Sequence, residues 1–466
     1  MSAVWKYFQV DDKNVSIAKC NPAEDESANA AGSFQEERKM PGDSAKAQTI
    51  TAKVAQMIAM SDLPFAFVEN PGFLMLMEHI EPRFEMPSRH YFTEKALPAL
   101  HKKIFDKVLV LLSDAPHVSF TTDIWSSSVA PMSLLSLTAQ WIDSSFVLRR
   151  ATLHVREFRG SHTAERIQQS IENMLNNWGI DKERVHVILR DNAANMKKAM
   201  RDMGVRSLGC VAHSCQLCVQ EGLLSQRSVT EILANARKIV GHFKHSPLAY
   251  SRLEDIQMDL HMDIKRLQQD VQTRWNSSLY MLQSLLEQKR ALSVFAAERT
   301  LPAALTAYQW ELMSKVADVL SPFEELTKVV SRETATAADV IPAITVLIRV
   351  LSRERDEDQG IRTMKRTLLD AVEKRFADVE TEPLFYIATL LDPRYKDGQS
   401  ANLLLAKEHL IQEVAKSEGM RVASAVPEET GAAAEPVNKA PRHEGCSSLD
   451  SAFEEILQRG SHRPGP

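Results

Sequence analysis

Two aspartates at the ends of predicted strands could hold metal ions for chemistry on a phosphodiester. Asp123 closes the strand-like run HVSFTTDIW, and Asp191 closes the compact apolar run RVHVILRDN. If these strands are neighbours in one sheet, the carboxylates meet at its rim, where a pair of Mg²⁺ ions could serve phosphoryl transfer on DNA. A plainer interpretation also stays open, because aspartate routinely caps turns and helix starts.

Four possible metal ligands lie close together farther along the chain: Cys210, His213, Cys215 and Cys218. A closed zinc site usually takes its second pair of ligands from a separate segment, so four ligands on one strand-to-helix turn would be strained. Three interpretations stay open: a structural zinc site, small cysteines buried on a helix face, and a local role for Cys210 and His213 beside the carboxylates.

An aromatic ring beside a cation indicates a possible contact with nucleic acid. In TRWNSS, Arg274 could contact phosphate while Trp275 stacks on an unpaired base. The helix predicted after Asp191 carries Lys197, Lys198 and Arg201, which could touch a DNA backbone. The alternatives are a tryptophan buried in a helix junction with its arginine extended to solvent, and an ordinary solvated helix face.

The composition restricts any DNA contact to a local patch. The 466 residues include 56 Lys and Arg against 61 Asp and Glu, a net charge of −5 that provides no uniform basic coat. With 16 Gly, 20 Pro and 44% hydrophobic residues, the chain is typical of a helix-rich globular protein, which excludes collagen-like, mucin-like and wholly disordered classes. Five cysteines without a disulfide-like spacing indicate a reducing compartment.

Neither a signal peptide nor a membrane span is expected. The opening MSAVWKYFQVDDKN has charges where a signal peptide has its apolar run, and no apolar stretch reaches 18 residues. The sequence therefore predicts a cytosolic or nuclear protein without membrane contact.

Hydrophobic periodicity divides the chain into several predicted segments. The region 114–228 follows the order βββαβαβα, with a three-strand antiparallel meander and a fourth strand that arrives by a helical crossover. The other predicted segments are a flexible linker at 21–48, a small helical unit at 49–113, an all-helical domain at 229–397, a helical tail at 398–418, and a disordered tail with one short helix at 419–466.

The first 20 residues resemble the opening of a small zinc finger. VWKYF supplies an aromatic pair and AKC supplies Cys20, but no second cysteine follows at the usual spacing and no histidine pair closes the site. A single cysteine cannot hold structural zinc. We therefore interpret residues 1–20 as a remnant of a finger and expect its zinc to be lost.

Taken together, the motifs resemble the hAT transposase superfamily, and within it the transposon-derived zinc finger BED domain-containing proteins. The resemblance runs in order from residue 5 to 397. It is carried by VWKYF with AKC, SDLPFAFVENPGFLMLMEHIEPRFEMPSR, SFTTDIWSS, ILRDNAANM, GCVAHSCQL, TRWNSSLYML and LLDPRYKD. It implies an α/β ribonuclease H-like core with a large all-α insertion domain, in a chain that is helix-rich overall.

The resemblance also implies roles for individual residues. Asp123 matches the first catalytic carboxylate and Asp191 the second, with Mg²⁺ as the ancestral cofactor of the core and Zn²⁺ as that of the finger. Cys210 and His213 match a Cys-x-x-His element near the active site. Trp275 matches a tryptophan of the insertion domain that is associated with the handling of DNA hairpin ends.

Two departures from the family pattern bear on activity. The family's third acidic residue lies after the insertion domain, in a dimerisation region with a Ser-Glu-Arg signature, and we find no such signature at 398–466. We therefore expect a domesticated or remnant transposase that acts as a non-catalytic nuclear protein in transcription regulation. It would bind DNA weakly, work with nuclear protein partners and lack stable dimerisation. The alternative is an active DNA transposase represented by an incomplete sequence.

Overall fold

The computed structural model describes residues 8–11, 14–20, 39–126, 131–271, 273–354, 356–395 and 407–415. The chain forms two compact units, 1–115 and 116–466. The region interpreted as a finger remnant contains an antiparallel strand pair, β1 (Phe8–Asp11) and β2 (Asn14–Cys20). Most of the predicted linker and the whole predicted disordered tail lie outside the described residues.

The first unit is a small helical bundle. Its helices are α1 (Ala45–Met60), α2 (Pro71–Ile80), α3 (Arg89–Tyr91) and α4 (Leu97–Ser113). Its core consists of Val54, Ala55, Ile58, Val68, Phe73 and Phe92. The linker was predicted to extend to residue 48, which is wrong for its last four residues. Helix α1 begins at Ala45 because the side chain of Ser44 accepts a hydrogen bond from the backbone N–H of Ala47 at 3.3 Å.

The second unit opens with a mixed five-stranded sheet. Its strands are β3 (Val118–Ser126), β4 (Ser133–Ile142), β5 (Leu148–Glu157), β6 (Val185–Arg190) and β7 (Ser207–Gly209). They lie in the order β5-β4-β3-β6-β7. The first three pair antiparallel, whereas β3–β6 and β6–β7 are parallel pairs. With α5 (Ala164–Asn177), α6 (Ala194–Met203) and α7 (Val211–Leu224), this is the predicted order βββαβαβα.

The alternation along β3 determines which face of the sheet carries the site. Val118, Phe120 and Thr122 are buried on one face, and Asp123 points to the other because neighbouring strand residues face opposite ways. Helix α6 packs against β6 and β7, and α5 packs against α6. These helices cover β6 and β7, and β3 is held between β4 and β6 by its strand pairing.

The remainder of the second unit is helical. Its helices are α8 (Arg227–His245), α9 (Pro247–Asp259), α10 (Trp275–Glu287), α11 (Lys289–Glu298), α12 (Ala307–Val330), α13 (Val340–Ser352), α14 (Arg362–Arg375) and α15 (Pro383–Leu391). Residues 407–415, within the predicted helical tail, are helical. In the described part of the chain, no strand follows β7. The predicted change from an α/β region to an all-helical region is therefore observed.

Helix α7 connects the two regions rather than belonging to the sheet alone. Cys215, Cys218 and Val219 lie in the same hydrophobic cluster as the helices that follow. Gly222 lets α7 approach α14 closely, because a Cβ at this position would lie 2.4 Å from Cδ2 of Leu368. The packing of the helical region therefore begins at α7, earlier than the predicted boundary at residue 229.

None of the helices in the described ranges combines the length and the apolar composition needed to cross a membrane.

Candidate active site at the ends of β3 and β6

The register of the sheet brings the two predicted aspartates together. Strands β3 and β6 run parallel with Thr121 opposite Leu189, and Asp123 and Asp191 each follow two residues later. Since neighbouring strands lie about 5 Å apart, extending this register places Asp123 beside Asp191, just beyond the parallel pairing of the two strands. Asp191 follows the last residue of β6, but the prediction that Asp123 closes its strand is wrong, because β3 continues to Ser126 in its pairing with β4. The register therefore places the two aspartates on neighbouring strands, and their use as a metal site stays a prediction.

The electrostatics of Asp123 reflect this pairing. Partial desolvation of its carboxyl group and the negative charge of Asp191 raise the pKa of Asp123 above its usual range. The backbone N–H of Ile124 and the charge of His213 act in the opposite direction. A cation placed between the two carboxylates would relieve their repulsion, so the pair is suited electrostatically to hold one.

Asp191 makes a local turn contact, but it is not the cap of α6 that the plainer interpretation expected, because the N-cap residue is Ala193 and no side chain caps this helix. Its Oδ1 accepts a hydrogen bond from the backbone N–H of Ala193 at 3.1 Å, just before α6 begins. A carboxylate has two oxygens and can accept several hydrogen bonds, so this turn does not prevent Asp191 from binding a cation. The turn contact of Asp191 and the binding of a cation are therefore compatible.

Cys210 and His213 lie beside the carboxylates. Cys210 is the N-cap residue of α7, and its backbone N–H donates to the carbonyl of Arg190 at 2.7 Å. His213 lies in the first turn of the same helix, close enough for its charge to lower the pKa of Asp123. This geometry favours the local role for Cys210 and His213 among the three interpretations.

Cys215 and Cys218 are fully buried, with 0% exposure. Burial raises the pKa of Cys218 to about 11 and that of Cys215 well above its usual range, so both are neutral thiols near neutral pH. The Sγ of Cys218 instead donates to the carbonyl of Ala371 at 3.4 Å. These two cysteines therefore fit the interpretation as small buried residues on a helix face.

The donor set at the rim fits Mg²⁺ better than a closed metal cage. Mg²⁺ prefers oxygen ligands, and proteins commonly hold it through one or two carboxylates while it keeps several waters. Asp123 and Asp191 supply such a pair. Within the described ranges, no group of three or more His, Cys, Asp or Glu side chains is arranged to hold a metal ion.

The basic residues near the site differ in their availability to DNA. Lys198 forms ion pairs with Glu165 at 2.8 Å and with Asp202 at 2.7 Å, which raise its pKa. Lys197 and Arg201 are exposed on the same helix. The predicted phosphate contact is therefore better suited to Lys197 than to Lys198.

The sequence reasoning missed one cation at the site. Arg190 ends β6 directly before Asp191, is half-buried, and donates to the Oγ of Ser207 at 3.3 Å and to the carbonyl of Asp191 at 2.9 Å. Burial lowers its pKa, and the charge of Asp191 partly offsets this effect. A charged residue at the end of an otherwise apolar strand was the available signal.

Trp275 is not available to a nucleobase in this conformation. Its side chain is 4% exposed and packs edge-on against Phe323, with the ring centroids 6.3 Å apart. Its backbone N–H donates to Oε1 of Gln216 at 3.1 Å. The predicted stacking of Trp275 on a base therefore does not hold for this state, whereas Arg274 is exposed, as the alternative interpretation expected.

Two family models match the second unit. The ZBED1 RNase-like domain matches residues 121–209, which hold both aspartates, and the ZBED1 RNase-like helical domain matches residues 208–319. The change from one model to the other falls just before α7.

Curated relatives match most of the chain. Human zinc finger BED domain-containing protein 4 is 32% identical over 361 residues, which are 75% of this chain and 31% of that protein. Human zinc finger BED domain-containing protein 6 is 29% identical over 394 residues, 78% of this chain and 40% of that protein. The putative AC transposase of Zea mays is 25% identical over 365 residues, 74% of this chain and 44% of that protein.

The chain thus spans between 31% and 44% of the length of these three relatives. The matches include both zinc finger BED domain-containing proteins and a transposase, and the family models cover the strands that carry Asp123 and Asp191. They confirm the resemblance seen in the sequence motifs. The chain belongs to the hAT-derived zinc finger BED domain-containing proteins.

Proposed function

We propose that this transposase-derived chain is a nuclear DNA-binding protein that acts in transcription regulation without strand transfer. The observation that carries the proposal is the pair of carboxylates formed by Asp123 in β3 and Asp191 directly after β6. In the described part of the chain, Asp123 and Asp191 meet without a third acidic ligand. Two-metal phosphoryl transfer needs ligands that fix both ions, which this pair does not supply by itself.

The sheet supports the ribonuclease H-like part of the proposal. A mixed sheet with the order β5-β4-β3-β6-β7 is followed by a large helical region, and both regions match models whose names describe RNase-like domains. A core of this kind would carry Asp123 and Asp191 as an ancestral site. The pair would keep a weak affinity for Mg²⁺, whose charge would offset the repulsion between the carboxylates and an approaching phosphate.

Local basic groups would provide the DNA contact. The net charge of −5 supplies no general attraction to DNA, and the exposed Lys197, Arg201 and Arg274 are the candidates for phosphate contacts. Protein partners in the nucleus would supply the affinity and specificity that so few contacts lack. The names of two relatives, which specify zinc finger BED domains, support this proposal.

A salt titration tests the DNA-binding part. We expect binding of duplex DNA by the purified chain to weaken steeply as salt rises, because phosphate contacts release counterions. Lys197→Ala should lower the slope of log K against log salt by about 0.9. Lys198→Ala is the matched control on the same helix and should have a smaller effect, because Glu165 and Asp202 already pair with Lys198.

Absence of salt-dependent binding would contradict this part of the proposal. It would favour a third class of function, a protein-interaction scaffold without affinity for DNA. An equal loss of slope in both lysine variants would contradict the assignment of Lys197 alone.

The second candidate function is an active DNA transposase. The observation in its favour is that Asp123, Asp191, Cys210 and His213 are all present and lie close together. It differs from the first proposal in one observable property, the cleavage of DNA that depends on a divalent metal.

A further inference from the structure

The end of β6 and the beginning of α7 are joined by backbone contacts. Arg190 pairs with Gly209 in the parallel register of β6 and β7, and the N–H of Cys210 donates to the carbonyl of Arg190 at 2.7 Å. Asp191 and Cys210 are the next residues on each side. The two segments that carry the candidate site therefore leave the sheet next to each other.

A side-chain relay joins the same two segments just beyond the sheet. The Nδ2 of Asn192 donates to the Oγ of Ser214 at 2.9 Å, and this hydroxyl donates to the carbonyl of Cys210 at 3.1 Å. The backbone N–H of Ser214 donates to the same carbonyl at 3.0 Å. The relay ties the residue after Asp191 to the residue after His213.

The absence of a side chain at Gly209 makes room for the Asn192 side chain of this relay. A Cβ at Gly209 would lie 2.4 Å from Oδ1 of Asn192, closer than real Cβ contacts come. Any side chain at this position would push the amide of Asn192 away from Ser214. The Asn192 side chain therefore occupies space that is open only because β7 ends in a glycine.

We propose that Asn192 and Ser214 are positioning residues that hold Asp191 and His213 in place at the rim. The inference rests on the proposed function, since it assigns these residues a purpose at the same site. Neither residue touches the carboxylate of Asp123. They act by fixing the turn after β6 and the first turn of α7 relative to each other.

The role follows from the position of each residue in its turn. Asn192 stands between Asp191 and Ala193, the two residues joined by the carboxylate-to-amide hydrogen bond. Ser214 directly follows His213, so holding its hydroxyl limits the movement of the helix turn that carries the imidazole. Loss of these hydrogen bonds would leave the Asp191 carboxylate and the His213 imidazole present but less precisely positioned. Metal affinity depends on that positioning.

The test uses the full chain and two readouts. The first is the NMR cross-peak of the His213 ring in protein labelled with ¹³C-histidine, assigned with His213→Gln, and the second is Mn²⁺ affinity by electron paramagnetic resonance. We expect Asn192→Ala, Ser214→Ala and Gly209→Ala each to move the His213 cross-peak and to weaken Mn²⁺ binding about tenfold. The double variant of Asn192 and Ser214 should be no worse than either single one, because both remove one relay.

Two further variants separate positioning from general stability. Ser214→Thr keeps the hydroxyl group and should preserve both readouts. Asn195→Ala is the matched control on the same segment, because Asn195 donates to the carbonyl of His162 at 2.7 Å and not to α7. It should lower thermal stability without moving the His213 cross-peak.

The outcomes distinguish this inference from the proposed function. If the wild-type chain does not bind Mn²⁺ but the three variants move the His213 cross-peak, the metal affinity of the proposed site is wrong and the positioning role stands. If Mn²⁺ binds and neither readout changes in Asn192→Ala and Gly209→Ala, the positioning role is wrong. An effect of Asn195→Ala as large as that of Asn192→Ala would also overturn it.

Discussion

Replacing Trp275 by alanine is expected to lower the free energy of unfolding of the helical region by about 3–5 kcal/mol. The indole is 4% exposed, packs edge-on against Phe323, and belongs to the large hydrophobic cluster of the helices. Its removal would leave a cavity at the start of α10 that the surrounding helices cannot close fully. Hydrogen exchange of the α10 and α12 amide groups would measure the loss locally.

Trp125→Ala is the matched control for this substitution. Trp125 is 39% exposed at the end of β3, so its removal should cost less than about 1 kcal/mol. The contrary result would be a Trp275→Ala variant that keeps its stability and loses binding to DNA with unpaired bases. That result would mean that the indole leaves the core to contact a base.

The second large effect is expected at Asp270, whose replacement by alanine should cost about 3–5 kcal/mol. Its side chain is 1% exposed and accepts hydrogen bonds from Nε of Arg237 at 2.9 Å and from Oγ of Ser278 at 3.0 Å. Removing the carboxylate would leave the guanidinium of Arg237, which is 30% exposed, without its partner, and the hydroxyl group of Ser278 without its acceptor. Chemical denaturation of the full chain, followed by hydrogen exchange at α8 and α10, would detect the change.

The ionisation of Asp270 gives the same interaction a pH dependence. Burial alone would raise its pKa, but the hydrogen bonds and charge of Arg237, with the hydrogen bond from Ser278, bring the pKa below its usual value. A folded-state pKa below the unfolded value stabilises the protein above that unfolded value, near 3.9. We expect this stabilisation to be lost as the pH falls from about 4 through the folded-state pKa, and to be absent at every pH in Asp270→Ala.

Asp263 offers a matched control in the same segment. Its side chain is 83% exposed and lies 3.6 Å from Lys265, an arrangement that contributes little in water. Asp263→Ala should therefore leave stability nearly unchanged. An equal loss in the two variants would contradict the assignment of Asp270 as the buried anchor of the chain before α10.

The sheet was predictable because its signals are local. Alternating apolar residues and short turns indicate β3, β4 and β5, and the end of the apolar run in β6 places Asp191 correctly just after that strand. The end of β3 was placed too early, because the strand continues past Asp123 to Ser126 in its pairing with β4. The start of α1 was missed because AKAQ, at residues 45–48, has few large apolar residues, although Ser44 was available as a cap.

The burial of the Trp275 side chain depends on contacts with residues that are distant in sequence. An aromatic residue beside an arginine suits both a base contact and a helix junction, and its packing partner Phe323 lies on another helix. The role of Cys218 also depends on a distant contact, because its thiol donates a hydrogen bond to the carbonyl of Ala371 on α14. Tertiary packing decided these cases, and a single sequence does not reveal it.

The most direct test of the proposed function is a DNA cleavage assay with the purified full chain in Mg²⁺ and in Mn²⁺. Hairpin and terminal-repeat DNA would be the substrates, and Asp123→Ala the matched control. The account predicts that the wild-type chain cleaves no more DNA than Asp123→Ala, because the pair formed with Asp191 does not fix two metal ions. Metal-dependent cleavage by the wild-type chain that disappears in Asp123→Ala would contradict it and establish the active transposase.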